Sequence, residues 1–526
     1  MSSLSSKISE SNLFSQLRLW TGVVLFISIS LELILFPSFE NFLGCLMTFI
    51  VYWIFLFFLR RGVILNNPFS FLVYSSFFLA RFIPLPATLL EGKPITYGFE
   101  APYDTFLFET LMFVVCSVAF YFSTHIRFSN NTILQKLLLK MGFFHASPTI
   151  LWLMGFVGVL VRIQQLIVAG DVEFGDVNNK FLAGMIYFQY APILLLFPSL
   201  SRIVYKKKNL VLFYLAAIFI ISFATNSRQA MIFPIFTIFL LFFLTLVKDN
   251  LSVFHYIKPQ YVILIFISCF FLLNLVSDIS LAMLANRGLR DDISRLELFS
   301  KTIETLQDDQ VMNSLRQVSI LDKGDMSSYY QGWDENYLDN FMLNRFGNLR
   351  VSDQVLYYAN EIGYANSKML DSFSDKFVAI FPTPLANLFD DEIDKNQLDY
   401  SPGDMIYQLG SRSTRFVLGT HRVSSLVGDG LATFGFLCFP LFFFLLFFSF
   451  KLLDNLVYFK DGDVFFSILS LIIVFDLFGV FRNSIGSINL FFFLFRGFWQ
   501  YLVTYFVVYK ICWFCSKVFF SSKMYN

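Results

Sequence analysis

Charge is scarce in this chain. Asp, Glu, Lys and Arg make up 15% of its 526 residues, against roughly a quarter in a soluble globular protein. A soluble chain of this length divides into units with polar surfaces and needs more charge than that to cover them. Histidine is scarcer still, at 4 residues, of which His125, His145 and His255 fall in separate connectors, so no metal-ligand cluster is evident. The 6 cysteines lie in or beside apolar blocks and none lies in the long polar stretch, which argues against a disulfide scaffold. Cys512 and Cys515 form a CxxC without a second ligand pair and read as ordinary helix residues. HExxH, the P-loop, GxSxG and a strand-to-helix GxGxxG are all missing, so nothing in the motifs supports ATP hydrolysis within this chain. No cofactor or metal is expected. A net charge of +1 gives no basic excess for nucleic acid.

What the chain has is apolar length. Hydrophobic residues are 56% of it, and Phe alone accounts for 72, spread through every apolar block, as expected where any large apolar side chain serves against lipid. A bilayer core takes roughly 20 apolar residues per helix. By that ruler the candidate spans are 20–38, 42–59, 69–90, 104–123, 149–169, 182–200, 210–224, 229–247, 260–278, 431–450, 464–481 and 488–511. The expected fold is an all-α polytopic membrane protein of about twelve transmembrane helices, with spans seven and eight forming a hairpin around Thr225–Arg228. Met1–Leu19 is polar, and Trp20–Pro37 lacks a small-residue cleavage site, so it reads as a retained first span.

Orientation follows from the Lys/Arg bias of the short loops. Arg60, Arg61, Arg127, Lys136, Lys140, Arg202, Lys206–Lys208, Lys510, Lys517 and Lys523 fall on one side. Glu91, Glu100, Asp104, Asp171, Glu173 and Asp176 fall on the other. Both termini are then cytoplasmic. The loop Lys451–Asp463 is balanced rather than basic and is the weak point of the alternation.

The chain divides into an N-terminal bundle of about nine spans (1–278), a large outer loop (279–430) and a C-terminal bundle of about three spans (431–526). The loop is far longer than an ordinary helix connection of roughly 2–8 residues, and short amphipathic helices are expected in it. Ile293, Leu296, Phe299, Ile303 and Leu306 recur at helical spacing behind Asp291 as N-cap, suited to the membrane surface. Phe377–Phe389 is more apolar, but two prolines prevent it from spanning; it dips into the interface or packs on the bundle.

Arginine marks the outer side. Arg228 sits at the mouth of the hairpin, Arg345 and Arg350 in the large loop, Arg412, Arg415 and Arg422 around His421, and Arg482 at the last outer turn. Guanidinium groups make paired hydrogen bonds to phosphate oxygens, which suits a lipid-linked phosphate or diphosphate. The competing account is interfacial anchoring, with Asp404 and Asp429 as partners. His421 has the chemistry of a general base or of a merely exposed loop residue. Arg81, Arg162, Glu32 and Asp476 lie within apolar runs and are expected to face a cavity or a partner, along a transport path or a lipid-phosphate groove.

With these features in place, the chain resembles over its whole length the oligosaccharide repeat-unit (O-antigen or capsule) polymerases of bacterial cell envelopes, which carry one large outer loop late in a many-span bundle. Thr225–Ala230 (Thr-Asn-Ser-Arg-Gln-Ala) is similar to the Ser-Arg turn before a long apolar helix in these polymerases and the related O-antigen ligases. His421–Gly435 is similar to the end of their large loop. The resemblance implies a metal-independent membrane glycosyltransferase acting on an undecaprenyl-pyrophosphate-linked oligosaccharide, among membrane lipid, in company with a chain-length regulator and a flippase. By the same resemblance Arg228, Arg412, Arg415 and Arg422 would contact pyrophosphate, with Arg345, Arg350 and Arg482 as additional substrate contacts, and His421 would activate the acceptor hydroxyl. The alternatives are an O-antigen ligase-type transferase, and a lipid-linked oligosaccharide flippase or other transporter.

Overall fold

The computed structural model describes residues 12–126, 132–167, 184–224, 228–289, 295–324, 332–386, 397–411, 417–481 and 486–520, with isolated positions 182, 293, 329, 388, 394 and 395. The chain is mostly helical. Among the described residues six helices are long and apolar enough to cross a membrane: Leu13–Leu35, Phe39–Phe58, Pro102–His125, Ala230–Asp249, Leu426–Asp454 and Ile488–Val518. The pair Pro68–Phe82 and Pro84–Leu90, bent by 42°, makes a seventh if counted as one span. Pro148–Gln164, Ile186–Leu196, Lys208–Phe223 and Asn274–Ala285 are shorter apolar helices.

Proline sets several of these boundaries. Pro68, Pro84, Pro102 and Pro402 each stand in the first turn of a helix, where the missing N–H costs nothing. Pro84 also produces the bend, because it cannot donate to the turn before it. Pro192 inside Ile186–Leu196 coincides with a tighter 3-10 winding instead of a regular α-helix. This segment lies flush on helix Pro148–Ile167 because Gly155 and Gly158 face it: a Cβ at Gly158 would collide with the Gln189 backbone nitrogen.

The phenylalanines do two jobs, only one of which follows from composition. Phe26 and Phe213 are about three-quarters exposed on the outside of the bundle. Phe55, Phe71, Phe78, Phe113 and Phe120 are instead buried among the helices. Phe55 and Phe78 stack at 3.8 Å between ring centroids, and Tyr74 stacks on Phe120 at 4.8 Å. Aromatic packing of this kind holds helices together where lipid offers no hydrophobic drive.

The expected span 464–481 is not one helix. Val457–Lys460 and Asp463–Phe466 form an antiparallel hairpin, followed by the short helices Ile468–Ile472 and Val474–Gly479. The cause is local: Asp461 and Gly462 both adopt positive φ (52° and 79°), the geometry of a two-residue hairpin turn that Asp-Gly favours.

Helix Pro102–His125 fixes the two ends of the molecule. Its 24 residues span about 36 Å, enough for a hydrocarbon core of about 30 Å. At its N-terminus Asp353, from the large loop, accepts from Glu100 N (2.8 Å), Ala101 N (3.1 Å) and Thr105 Oγ1 (2.9 Å). The loop thus caps a span that has no side-chain cap of its own. The neighbouring connector acids bind the loop in the reverse sense: Glu91 accepts from Asp339 N and Asn340 N (both 2.7 Å), Glu100 from Tyr329 N (2.6 Å), and Asp104 from Asn360 Nδ2 (2.7 Å). The acidic 91–104 connector and the large loop therefore share one end.

The basic connectors gather at the opposite end. Lys451 Nζ donates to Ser123 O and to Ile126 O (2.5 Å), and Arg61 donates to Val247 O (3.0 Å) and Lys248 O (2.8 Å). Arg202 pairs with Asp463, which Lys248 also approaches at 3.7 Å. These contacts account for the balanced composition of Lys451–Asp463: its acid answers basic neighbours from two other connectors.

Within the large loop, helix Arg295–Gln307 appears where its apolar spacing calls for it, while the expected cap, Asp291, lies outside the described residues. It does not lie free on a surface: Leu298 and Thr302 are buried, and Phe299 meets Phe223 edge-on at 5.0 Å. Helix Ser367–Ala379 and the Phe-Pro-Thr-Pro stretch after it pack on the last span, with Phe373, Phe377 and Phe381 against Phe491 and Phe495.

Candidate functional site

The loop returns to the bundle through Ser401–Ser425, and one carboxylate organises this return. Ser401 caps helix Pro402–Gly410 in a capping box with Asp404. Asp404, fully buried, then gathers the following turn: it accepts from Thr420 Oγ1 (2.6 Å), His421 N (2.8 Å), Arg422 N (3.1 Å) and Arg422 Nη1 (3.1 Å). Burial pushes the Asp404 carboxyl up, but the hydrogen bonds from Thr420, Arg422, Ser401 and His421 outweigh it and hold the group below the usual carboxylate value. Gly403 permits the contact, since a Cβ there would meet Arg422 O at 2.7 Å.

Arg422 is thus engaged within the protein. Its Nη1 serves Asp404, Val417 O (3.1 Å) and the Thr420 hydroxyl, and its guanidinium lies over the Tyr407 ring at 4.4 Å. The side chain keeps 17% exposure. Among the described residues no acceptor bonds its Nε or Nη2. The partnering by Asp404 foreseen from sequence is present; Asp429 serves elsewhere, accepting from Ser487 N at 2.5 Å. Gly486 sits so close to Asp429 that a Cβ would lie 2.6 Å from its oxygen.

His421 holds a left-handed backbone conformation (φ 54°). Its side chain is 57% exposed, with Nε2 3.9 Å from Asp399 Oδ1. The imidazole is accessible, and the Asp399 carboxylate lies beyond direct hydrogen-bond distance of it.

The remaining arginines divide. Arg350 is buried, with Nη1 bound to Asp334 Oδ2 (2.6 Å) and Asn336 O (2.5 Å). Its place is inside the loop's own core, and as a substrate contact it is unavailable in this arrangement. Arg345 is exposed in the last turn of helix Phe341–Phe346. Arg412, Arg415 and Arg482, and the side chain of Arg228, lie outside the described residues. Ser411 and Val417 both bond helix Pro402–Gly410: Ser411 N donates to Tyr407 O (2.8 Å), and Val417 N to Gln408 Oε1 (2.9 Å).

Two further cations, Lys376 beside this return and Arg496 in the last span, do not stand out in the sequence. Lys376, on helix Ser367–Ala379, donates to Leu398 O (2.8 Å) and Tyr400 O (2.5 Å) and lies over the Tyr400 ring at 3.7 Å. Burial lowers its ammonium to about 8, against the pull of Asp429, Asp399, Asp404 and Asp375. Arg496 belongs to a π-helical turn, Phe493–Gly497, in the last span, and donates to Ile380 O at 3.1 Å. Such turns often mark functional positions. The one sequence signal for it was a cation inside an apolar run.

The charges within the spans have local partners. Arg81 pairs with Glu109 at 2.5 Å, both buried; Glu32 accepts from Ile95 N at 2.8 Å; Asp476 accepts from the Tyr501 hydroxyl; Arg162 interacts with Tyr190. The class these features define is a polytopic helical membrane protein with one elaborated end. Compared with known protein families, curated proteins and solved structures, the chain matches none.

Proposed function

We propose that this chain is a repeat-unit polymerase that joins undecaprenyl-pyrophosphate-linked oligosaccharides into O-antigen or capsular polysaccharide at the outer face of a bacterial cytoplasmic membrane. In this reading the chain crosses twelve times, the end bearing the large loop faces outward, and both termini are cytoplasmic. The observation that carries it is the Asp404-centred turn: a partly exposed Arg422 bonded only through Nη1 among the described residues, and an accessible His421, at the same end as the elaborated loop and just before a span begins at Leu426. The flanking Arg412 and Arg415 add charge suited to a diphosphate.

The acceptor sugar's hydroxyl attacks the anomeric carbon of the donor. A glycosidic C–O bond forms, the anomeric C–O bond to diphosphate breaks, and undecaprenyl pyrophosphate leaves with the bonding pair. His421 takes the hydroxyl proton, and arginines stabilise the charge that develops on the leaving oxygen, the term that usually contributes most to rate. Because Arg422 also holds the turn, the decisive variants are Arg412→Ala and Arg415→Ala. Each is expected to abolish long-chain polymer without lowering the amount of protein in the membrane. Full-length polymer in both sinks the assignment, as does cytosolic labelling of a cysteine placed at Asn360.

A further inference from the structure

The opposite, basic end carries an open apolar cavity of about 550 Å³, lined by Pro148, Thr149, Trp152, Phe156, Val159 and Tyr205 among others. Along helix Pro148–Ile167 the lining positions 148, 149, 152, 153, 156 and 159 form one face. From 148 to 159 that face rises about 17 Å, roughly half of a hydrocarbon core of about 30 Å. The groove therefore has the depth of one leaflet and starts at a membrane boundary. Its shallow end is polar: Trp152 Nε1 donates to the Tyr205 hydroxyl at 3.2 Å. Directly after Tyr205 come Lys206, Lys207 and Lys208, all exposed. Arg202 nearby is already neutralised by Asp463, so these three lysines carry the local positive charge. Phe156 and Leu160 face outward beside the groove, leaving it open to lipid.

We infer that this groove binds an anionic phospholipid of the basic-side leaflet, one acyl chain along Trp152, Phe156 and Val159 and the phosphate headgroup on Lys206–Lys208. Charge complementarity selects the headgroup, and a depth of one leaflet selects a membrane lipid over a soluble anion. The site lies at the opposite end from the proposed catalytic turn and does not depend on that assignment.

The test is native mass spectrometry of the full chain with added phosphatidylglycerol or phosphatidylcholine, using matched acyl chains. Wild type should retain phosphatidylglycerol preferentially. Each lysine changed to glutamine should weaken that preference by about fivefold, and Leu153→Trp, which fills the groove, should lower retention of both lipids. Equal retention of the two lipids by wild type, or an unchanged preference in K206Q/K207Q/K208Q, overturns the proposal. Full displacement by inorganic phosphate, or no effect of Leu153→Trp, would mean a plain anion patch and overturns it equally. The three lysines are exposed, so the triple variant folds, and a matching thermal-unfolding midpoint verifies that.

Discussion

Replacing Asp404 by Asn tests whether one buried carboxylate holds the 417–423 turn against helix Pro402–Gly410. The amide keeps the shape and one acceptor oxygen, but it turns an NH2 toward donors. Ser401 N, Thr420 Oγ1, His421 N, Arg422 N and Arg422 Nη1 all point at this group. Hydrogen bonds to a charged group are worth roughly 1.5–3 kcal/mol each and do not add, and stranding a paired charge costs about 3–5 kcal/mol when both partners are buried. Arg422 keeps some exposure, which places the loss near the lower end, about 3 kcal/mol for local opening of the turn. At about 1.4 kcal/mol per decade, exchange of the His421 and Arg422 amides should accelerate about 100-fold in nanodiscs while spans such as Pro102–His125 keep their protection. The pH dependence gives a second reading of the same group. Its folded carboxyl lies below the ordinary value of 3.8, so its contribution is present above 3.8 and disappears only as pH falls through the depressed value. Wild-type protection of the two amides, corrected for intrinsic rate, should hold from pH 7 to pH 4, where an unpaired carboxylate would already be about 40% protonated. Unchanged exchange in Asp404→Asn, or a wild-type loss centred at pH 5 or above, refutes the argument.

Asp353 should behave with the opposite sign. Burial raises it to about 6, so the docked loop takes up a proton there that a detached loop would not. Corrected protection of the Glu100 and Ala101 amides should rise from pH 7 to pH 5, and Asp353→Asn should abolish that trend. In the spans, Arg81→Leu should destabilise by about 3–5 kcal/mol through the stranded Glu109, and adding Glu109→Leu should restore most of the loss in thermal unfolding; no recovery in the double variant rejects the pairing. Gly158→Ala should cost at least about 1–3 kcal/mol, since its methyl group meets backbone at Phe188 and Gln189 rather than a movable side chain; an unaltered midpoint would show that the two segments are not in contact.

The membrane class and most helix positions were legible because lipid acts on composition and length, which a sequence displays directly. The grouping of connectors into an acidic and a basic set was legible for the same reason. What stayed hidden depended on pairing across long separations. Asp353 and Ala101 are 252 positions apart, and nothing local distinguishes Asp353 from any other loop acid. Lys376 likewise looks like a solvated helix residue until its carbonyl partners arrive from 398–400. The hairpin at 457–466 is a different failure. Asp461-Gly462 is a turn signal in the sequence, but the apolar run after it has the length of a span, and turn chemistry decides against a single helix there. Arg350 shows the limit of residue type as a guide: position and charge suggested phosphate, while burial beside Asp334 makes it part of the loop's scaffold.

These partnerships also bear on where chemistry can reside. Arg81, Glu32, Arg162 and Asp476 were candidates for a path through the membrane, because an intramembrane charge needs either water or a partner. Each has a neighbour within the protein: Glu109, Ile95, Tyr190 and Tyr501. A charge so committed would have to give up that neighbour to bind a passing substrate, and breaking a buried pair costs several kcal/mol. The turn at 417–423 has no such obstacle. Asp404 discharges the cost of holding it, His421 remains accessible, and Arg422 is partly exposed with its bonds among the described residues all through Nη1. A transporter would need the first set of charges to move; a transferase needs only the second set to stay still. Under the function proposed above, the cost of breaking the buried Arg81–Glu109 pair is the reason to look for the chemistry at the loop end before looking along the bundle.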